Sequence, residues 1–196
     1  MKQNITKIRR KLMTELDKER YEHTLGVMYT AASMAMRYDT EKIDQALLAG
    51  LLHDCAKCIP GDTKVKLCNK YHLNVSEIEK ANPSLLHAKL GAFLAAKKYH
   101  IQDKEIVNAI ASHTTGRPHM TLLEKIIYIA DYIEPGRMEL PNMKKIRKLA
   151  FEDIDECLYQ ILKDSLVYLE NKSMPIDPMT EKTYLYYQER LNKKEE

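Results

Sequence analysis

Five helix-length stretches of this 196-residue chain each carry an ionisable side chain on an otherwise apolar face, and that recurrence limits what the chain can fold into. The apolar run from Ala46 to Leu52 closes in His53-Asp54. His23 shares a face with Val27, Thr30, Ala31 and Met34. His87 interrupts the stripe Leu85-Leu86-His87-Ala88, His113 ends a helix just before Thr114-Thr115-Gly116-Arg117, and Asp131 breaks the run Ile126 to Ala130. One histidine on an apolar face is usually a satisfied core residue. A buried polar group needs a partner, and a buried charge without one is costly. Several on inward faces can satisfy one another at a shared site, as in the metal centres of helical bundles. Imidazole and carboxylate together suit iron, manganese, cobalt or zinc.

The helical period dominates the rest of the chain. Ile5, Ile8, Leu12, Met13 and Leu16 mark a first amphipathic helix, and a second runs from Lys18 to Arg37. Asp39-Thr40 signals the start of a third, Glu41 to Asp54. After the loop at Ile59-Pro60-Gly61, Asp62 is the expected N-cap of a helix to about Tyr71. Asn82-Pro83-Ser84 opens a helix from Leu85 to Tyr99, Asp103 caps one ending at His113, and Thr114 to His119 is a loop. Leu122 to Ile133 is apolar and stops at Glu134-Pro135-Gly136. Met143 to Tyr168 is amphipathic with a break near Ala150 to Asp153, Met174 to Pro178 is an extended loop, and Thr180 to Leu191 is a terminal helix. No stretch alternates as a strand does. The reading is all-α: a single-domain helical bundle with a C-terminal helical extension. Residues 1–17 form a helix packed on a core over 18–137, and 138–196 complete the same domain.

A net charge of +3 is too small to point to nucleic acid. The basic clusters Lys7 to Lys11 and Lys144 to Lys148 have acidic neighbours and no interleaved aromatics, so they read as solvated faces. No apolar run approaches the roughly 18 residues of a membrane span, and the N-terminus lacks the apolar core of a signal peptide. A cytoplasmic protein with no membrane and no nucleic-acid partner is expected. Cys55 and Cys58 form a C-x-x-C with no second pair, and a helix rather than a strand precedes it. With Cys68 and Cys157 they are expected to be reduced, structural thiols. No Gly-rich phosphate loop is present, so any phosphate recognition must rest on side chains and metal.

The motifs Arg20-x-x-His23-Thr24, Leu51-Leu52-His53-Asp54-Cys55-Ala56-Lys57, His87-Ala88-x-x-Gly91-Ala92, His113-Thr114-Thr115-Gly116 and Ala130-Asp131-Tyr132-Ile133-Glu134-Pro135-Gly136-Arg137 follow in order. Together they resemble the YqeK subfamily of HD-domain metal-dependent phosphohydrolases, over about Glu19 to Arg137. Members of that subfamily are bacterial symmetrical diadenosine tetraphosphate hydrolases. The resemblance implies an HD-type bundle, and it makes His23, His53, Asp54 and Asp131 the metal ligands. Iron is the first candidate ion, with manganese, cobalt and zinc behind it. It implies metal-activated water as the nucleophile, a dinucleoside polyphosphate as substrate and a nucleoside diphosphate as product. A homodimer is the candidate assembly.

Around those ligands, Lys57, His87, His113, Thr114, Gly116 and Arg137 are candidates to contact phosphate, and Tyr132 to contact a nucleoside. Asp54, His87 and His113 are the candidates for proton handling. A second metal held by His87 and His113 is the alternative to phosphate contact. Tyr184, Tyr186 and Tyr187 fit core packing better than nucleoside binding. Two other functions stay open: an HD phosphohydrolase acting on a mononucleotide, and a non-catalytic nucleotide-binding regulatory module.

Overall fold

The structure is a computed structural model that describes residues 2–138, 140 and 142–195. Among them there is no strand; the elements are α1 (Lys2–Glu15), α2 (Lys18–Tyr38), α3 (Ile43–Leu52), α4 (Gly61–Lys70), α5 (Glu77–Ala81), α6 (Leu86–Lys97), α7 (Lys104–Ser112), α8 (Leu122–Ile133), α9 (Met143–Glu152), α10 (Ile154–Asn171) and α11 (Pro178–Glu195). The all-α expectation therefore holds.

Helix starts follow local chemistry. The Asp17 carboxylate accepts the Arg20 N–H at 2.7 Å and caps α2. Thr121 and Glu124 form a reciprocal capping box on α8. The expected break in the long amphipathic stretch falls at Asp153, whose backbone is extended and whose carboxylate accepts the N–H groups of Asp155 and Glu156.

Several boundaries differ from the sequence reading, each for a local reason. Asp39 caps a 3₁₀ turn at Thr40–Lys42, and α3 proper begins at Ile43. α3 ends at Leu52, so His53-Asp54 stand in the turn that follows rather than inside the helix. Pro60 precedes α4 and Asp62 sits in its first turn, where a carboxylate favours the helix dipole without capping it. Pro83–Leu85 is a 3₁₀ turn leading into α6. Pro178 opens α11, since proline at the first helical position gives up an N–H that would bond nothing. Met13 points to solvent, 59% exposed, while Ile8, Leu12 and Leu16 enter the core.

The layout places α2 at the centre, packed on α3 and α8, with α7 closing on α3, α6 and α8. Its approach to α3 is close: a Cβ at Gly50 would lie 2.8 Å from the Met28 Cα. One large apolar core joins these helices to α1, α9 and α10, and a small satellite of Ala56, Cys68, Leu86 and Leu90 lies under α4 and α6. All four cysteines are free thiols, as expected, and burial pushes the Cys55 thiol up to about 12. The consequence for function is that the ends of α3 and α7, the first turn of α6 and the last turn of α8 come together at one place near the start of α2.

Candidate metal centre

At that meeting point His23 of α2, His53 and Asp54 after α3, His87 of α6, His113 after α7 and Asp131 of α8 converge. The imidazoles follow one another edge to face: His23 to His53 at 5.4 Å between centroids, His53 to His113 at 5.1 Å, His113 to His87 at 5.0 Å. His53, Asp54, His87 and His113 are buried.

Three rings are held alike. His53 Nδ1 lies 2.7 Å from the Gly50 carbonyl, His87 Nδ1 2.6 Å from that of Ser84, and His113 Nδ1 2.7 Å from that of Ile110. A carbonyl can only accept, so each Nδ1 carries the proton and donates it. In a neutral ring the Nε2 lone pair is then left facing the cluster. His23 is held instead by a carboxylate: Nδ1 donates to Glu134 Oε1 at 3.0 Å. Glu134 is itself buried and its Oε2 accepts the Gly136 N–H at 2.6 Å. Gly26 is what makes room, because a Cβ there would lie 2.4 Å from Glu134 Oε2.

Asp54 reaches two ways. Its Oδ2 accepts from Arg20 Nη1 at 2.8 Å and lies 3.5 Å from His53 Nε2 and 3.9 Å from His23 Nε2. Its Oδ1 lies 3.2 Å from His87 Nε2, 3.6 Å from His113 Nε2 and 4.0 Å from Lys57 Nζ. Asp131 Oδ1 lies 3.0 Å from His23 Nε2 and 3.8 Å from His53 Nε2, and accepts from Arg137 Nη2 at 2.6 Å.

The electrostatics are those of a cage that wants a cation. Burial by itself would raise the Asp54 carboxyl, but the charge of His53 and the surrounding imidazoles hold it well below the usual range. Burial opposes the same for Asp131, yet His23, His53 and Arg137 pull it down. Burial disfavours charge on His53, and Asp54 beside it more than compensates, raising its pKa. His87 goes the other way, to about 4, through burial together with the charges of His113 and Lys57. It is therefore neutral near pH 7, and its Nε2 accepts from Lys57 Nζ at 3.3 Å.

A cation fits the donor set. His23 Nε2, His53 Nε2 and Asp54 Oδ1 are buried and make no hydrogen bond, although Asp131 Oδ1 lies 3.0 Å from the first, Asp54 Oδ2 3.5 Å from the second and His87 Nε2 3.2 Å from the third. Each unsatisfied buried group costs about 1–3 kcal/mol, and one ion among them removes several such costs at once. Two triads have ligand atoms within 4.8 Å of one another: His23, His53 and Asp131, and His53, Asp54 and His113.

A cavity of about 150 Å³ opens beside the second triad, lined among others by Lys57, His87, His113, Thr114, Tyr132 and Arg137. Thr114 Oγ1 lies 3.3 Å from both His87 Nε2 and His113 Nε2. The structure thus gathers nearly all the residues singled out from sequence. Gly116 stands apart: its N–H is bound to the Ser112 carbonyl, and it packs against Thr183 of α11 at a φ of +64°. Arg137 is engaged on Asp131 rather than free. Of the tail tyrosines, Tyr187 is core, Tyr186 pairs with His119, and Tyr184 stacks on Tyr159.

Arg20 and Glu134 fall within the sequence motifs, yet the sequence alone assigns neither a role at the centre. Arg20, on Asp54, stands one helical turn before His23, and that spacing was the available signal. Glu134, under His23, looked like part of a helix-stop sequence. Ser165, which reaches the small cavity from α10, has no sequence signal of any kind.

Residues 20–136 match the HD domain family model. The chain is 41% identical to a protein of Bacillus subtilis named symmetrical bis(5'-nucleosyl)-tetraphosphatase, over 87% of this chain and 90% of that one. It is 36% identical to a Staphylococcus aureus protein of the same name, over 94% of each. A crystal structure from Clostridium acetobutylicum, described as a "predicted HD superfamily hydrolase involved in NAD metabolism", superposes with a TM-score of 0.89 at 42% identity, over 94% of this chain and 97% of the other.

Proposed function

The chain belongs to the HD domain family, and from that membership we propose that it is a metal-dependent hydrolase that cuts diadenosine tetraphosphate symmetrically into two ADP. The relatives that span most of the chain are named for that reaction. The observation that carries the reading is the convergence of three buried ligand atoms that make no hydrogen bond, beside a cavity lined by Lys57, His113 and Thr114. The matched span supports a core over 18–137, with 1–17 and 138–196 completing the same unit.

In this reading His23, His53, Asp54 and Asp131 hold the ion, iron first, with manganese, cobalt or zinc as alternatives. A bound transition ion supplies positive charge against the phosphoryl oxygens and makes water acidic enough to react near neutral pH. Asp54, with its depressed pKa, is a poor base; it stays ionised and orients the attacking water through Oδ1. Neutral His87 accepts a hydrogen bond from that water or from Lys57, and His113 and Thr114 face the phosphate. Arg137 holds Asp131 and presents its remaining N–H groups to the substrate. Tyr132, which lines the cavity, is the candidate contact for a nucleoside outside it. Water adds to one inner phosphorus, the bridging oxygen leaves with the second half, and a diphosphate leaving group needs little help from an acid.

The test is product identification. Purified protein of known metal content, given diadenosine tetraphosphate in oxygen-18 water, should yield two ADP with the label on the terminal phosphate of one of them. His53→Ala and Asp54→Ala should each lose metal and nearly all turnover while staying helical by circular dichroism. ATP plus AMP as products, or rapid dephosphorylation of a mononucleotide with no cleavage of this substrate, would move the chain to another branch of HD phosphohydrolases.

A second reading of His87 and His113 has its own support. Their Nε2 atoms lie 3.1 Å apart, both flanking Asp54 Oδ1, and with both Nδ1 protons bound to carbonyls two neutral rings would set lone pair against lone pair. A second ion there relieves the conflict. Metal analysis separates the cases: His113→Ala retains the wild-type metal content if it only contacts phosphate, and loses one equivalent if it is a ligand.

A further inference from the structure

The basic run Lys144 to Lys148 reads as a solvated face, yet one of its cations turns inward. Lys144, Lys145 and Lys148 are exposed, whereas Arg147 is half-buried and spends its guanidinium on main chain. Its Nε donates to the Ile133 carbonyl at 3.1 Å and its Nη2 to the Glu134 carbonyl at 3.2 Å. Those two oxygens stand where α8 stops. The last carbonyls of a helix have no partner within it, and a cation is favoured at that end of the dipole. Two successive carbonyls suit the planar fork of an arginine, which the single nitrogen of a lysine cannot reproduce.

The turn that Arg147 grips supports two sides of the metal centre. The Glu134 carbonyl also accepts the Arg137 N–H at 3.1 Å, which closes the turn from Glu134 to Arg137. From that turn the Glu134 carboxylate takes the Nδ1 proton of His23, while Arg137 donates to the carbonyl and the Oδ1 of Asp131. α9, which carries Arg147, is itself fixed at its far end. Arg37 Nε and the Tyr38 hydroxyl of α2 donate to the carbonyls of Phe151 and Ala150, each at 3.0 Å. Met143 and Ile146 bury the inner face of the same helix. The clamps form a ring: the end of α2 holds the end of α9, Arg147 of α9 holds the end of α8, and the turn after α8 returns to His23 of α2.

We propose that Arg147 is a positioning residue of the metal centre. It touches no ligand atom. It fixes the path of the chain after α8, so that the Glu134 carboxylate stands behind His23 and Arg137 stays on Asp131. The assignment rests on reading the cluster of His23, His53, Asp54 and Asp131 as a metal site.

Affinity for cobalt(II), titrated against a competing chelator in the purified full-length protein, tests it. Arg147→Met should weaken cobalt binding about tenfold, the low end of what partners behind metal ligands contribute. Arg147→Lys, which keeps the charge and one donor, should fall between that variant and wild type. The decisive comparison is made in Glu134→Ala, which removes the carboxylate but leaves the carbonyl that Arg147 grips. There Arg147→Met should weaken cobalt less than threefold further, because the group it serves is already gone. The same loss in both backgrounds would make Arg147 a packing residue and overturn the proposal, as would wild-type affinity in Arg147→Met. If Arg147→Met does not fold, Arg147→Lys runs the same cycle under the same requirement. Failure of wild type to bind cobalt would remove the metal centre and the proposal together, whereas binding by wild type with equal losses in the two backgrounds removes the role of Arg147 alone.

Discussion

The imidazole of His23 differs from its three neighbours in what orients it. A side-chain carboxylate, Glu134, takes its Nδ1 proton, and that carboxylate fits only because residue 26 has no Cβ. A carboxylate behind a ligating histidine fixes the tautomer and raises the basicity of the other nitrogen, and losing it commonly costs 10–100-fold in metal affinity. Glu134→Ala is expected to fall by about that factor in a competitive chelator titration. Glu134→Gln should fall less, because an amide oxygen still accepts the Nδ1 proton. Gly26→Ala offers a second route to the same result: its Cβ would lie 2.4 Å from Glu134 Oε2 and push the carboxylate off His23 without removing a polar group. Metal binding at wild-type strength in both Glu134→Ala and Gly26→Ala would show that Glu134 is only packing.

Between elements, spacing and anchoring decide whether the ligands meet. α2 and α3 touch backbone to backbone at Gly50 and Met28, and the Gly50 carbonyl also holds His53. Gly50→Ala forces the helices apart. It should cost about 1–3 kcal/mol, as overpacking does, and weaken metal binding with it. Calorimetric melting with and without metal would measure both. The loop after His113 is tied down by Glu124, which accepts two hydrogen bonds from Arg117, one from Ser112 and one from the Thr121 N–H. Burial raises the Glu124 carboxyl, but Arg117 and these bonds outweigh it and hold the pKa below its ordinary value. A depressed folded pKa means stability that is present above the unfolded value, near 4.3, and is lost as pH falls through the folded one. Glu124→Gln should therefore cost about 1.5–3 kcal/mol at neutral pH and flatten the acid side of the stability profile. Equal losses at pH 7 and pH 3 would refute the electrostatic account. Much of this level was legible in the sequence. Period and caps place α2, α7 and α8, and the break at Asp153 fell inside the expected window. α5 was not legible, since Glu77–Ala81 is too short to show a period. Nor was the role of Glu134, because a carboxylate beside Pro-Gly reads as the end of a helix. Only the tertiary approach of Gly26 reveals what it serves.

The whole molecule closes on itself through its last helix. Tyr187 of α11 is fully buried and its hydroxyl accepts the Met120 N–H at 3.2 Å, while Thr183 packs on Gly116 in the loop that begins at His113. The C-terminal extension expected from sequence is thus a prop for the metal side of the bundle. Tyr187→Phe leaves the Met120 N–H buried without an acceptor, a cost of about 1–3 kcal/mol. It should lower the melting temperature without changing metal content. No helix among the described residues is long and apolar enough to cross a membrane.

Three of the four imidazoles lean on main-chain carbonyls, those of Gly50, Ser84 and Ile110. A carbonyl oxygen is present whatever residue the codon specifies, so no point mutation deletes it. Their orientation is carried by the chain path, and drift at Ser84 or Ile110 can alter the neighbouring side chain while the ring stays aimed. His23 has no such insurance. Its support is written in two codons, the one for Glu134 and the one that keeps residue 26 a glycine. A single base change in either can turn that ring without touching a histidine.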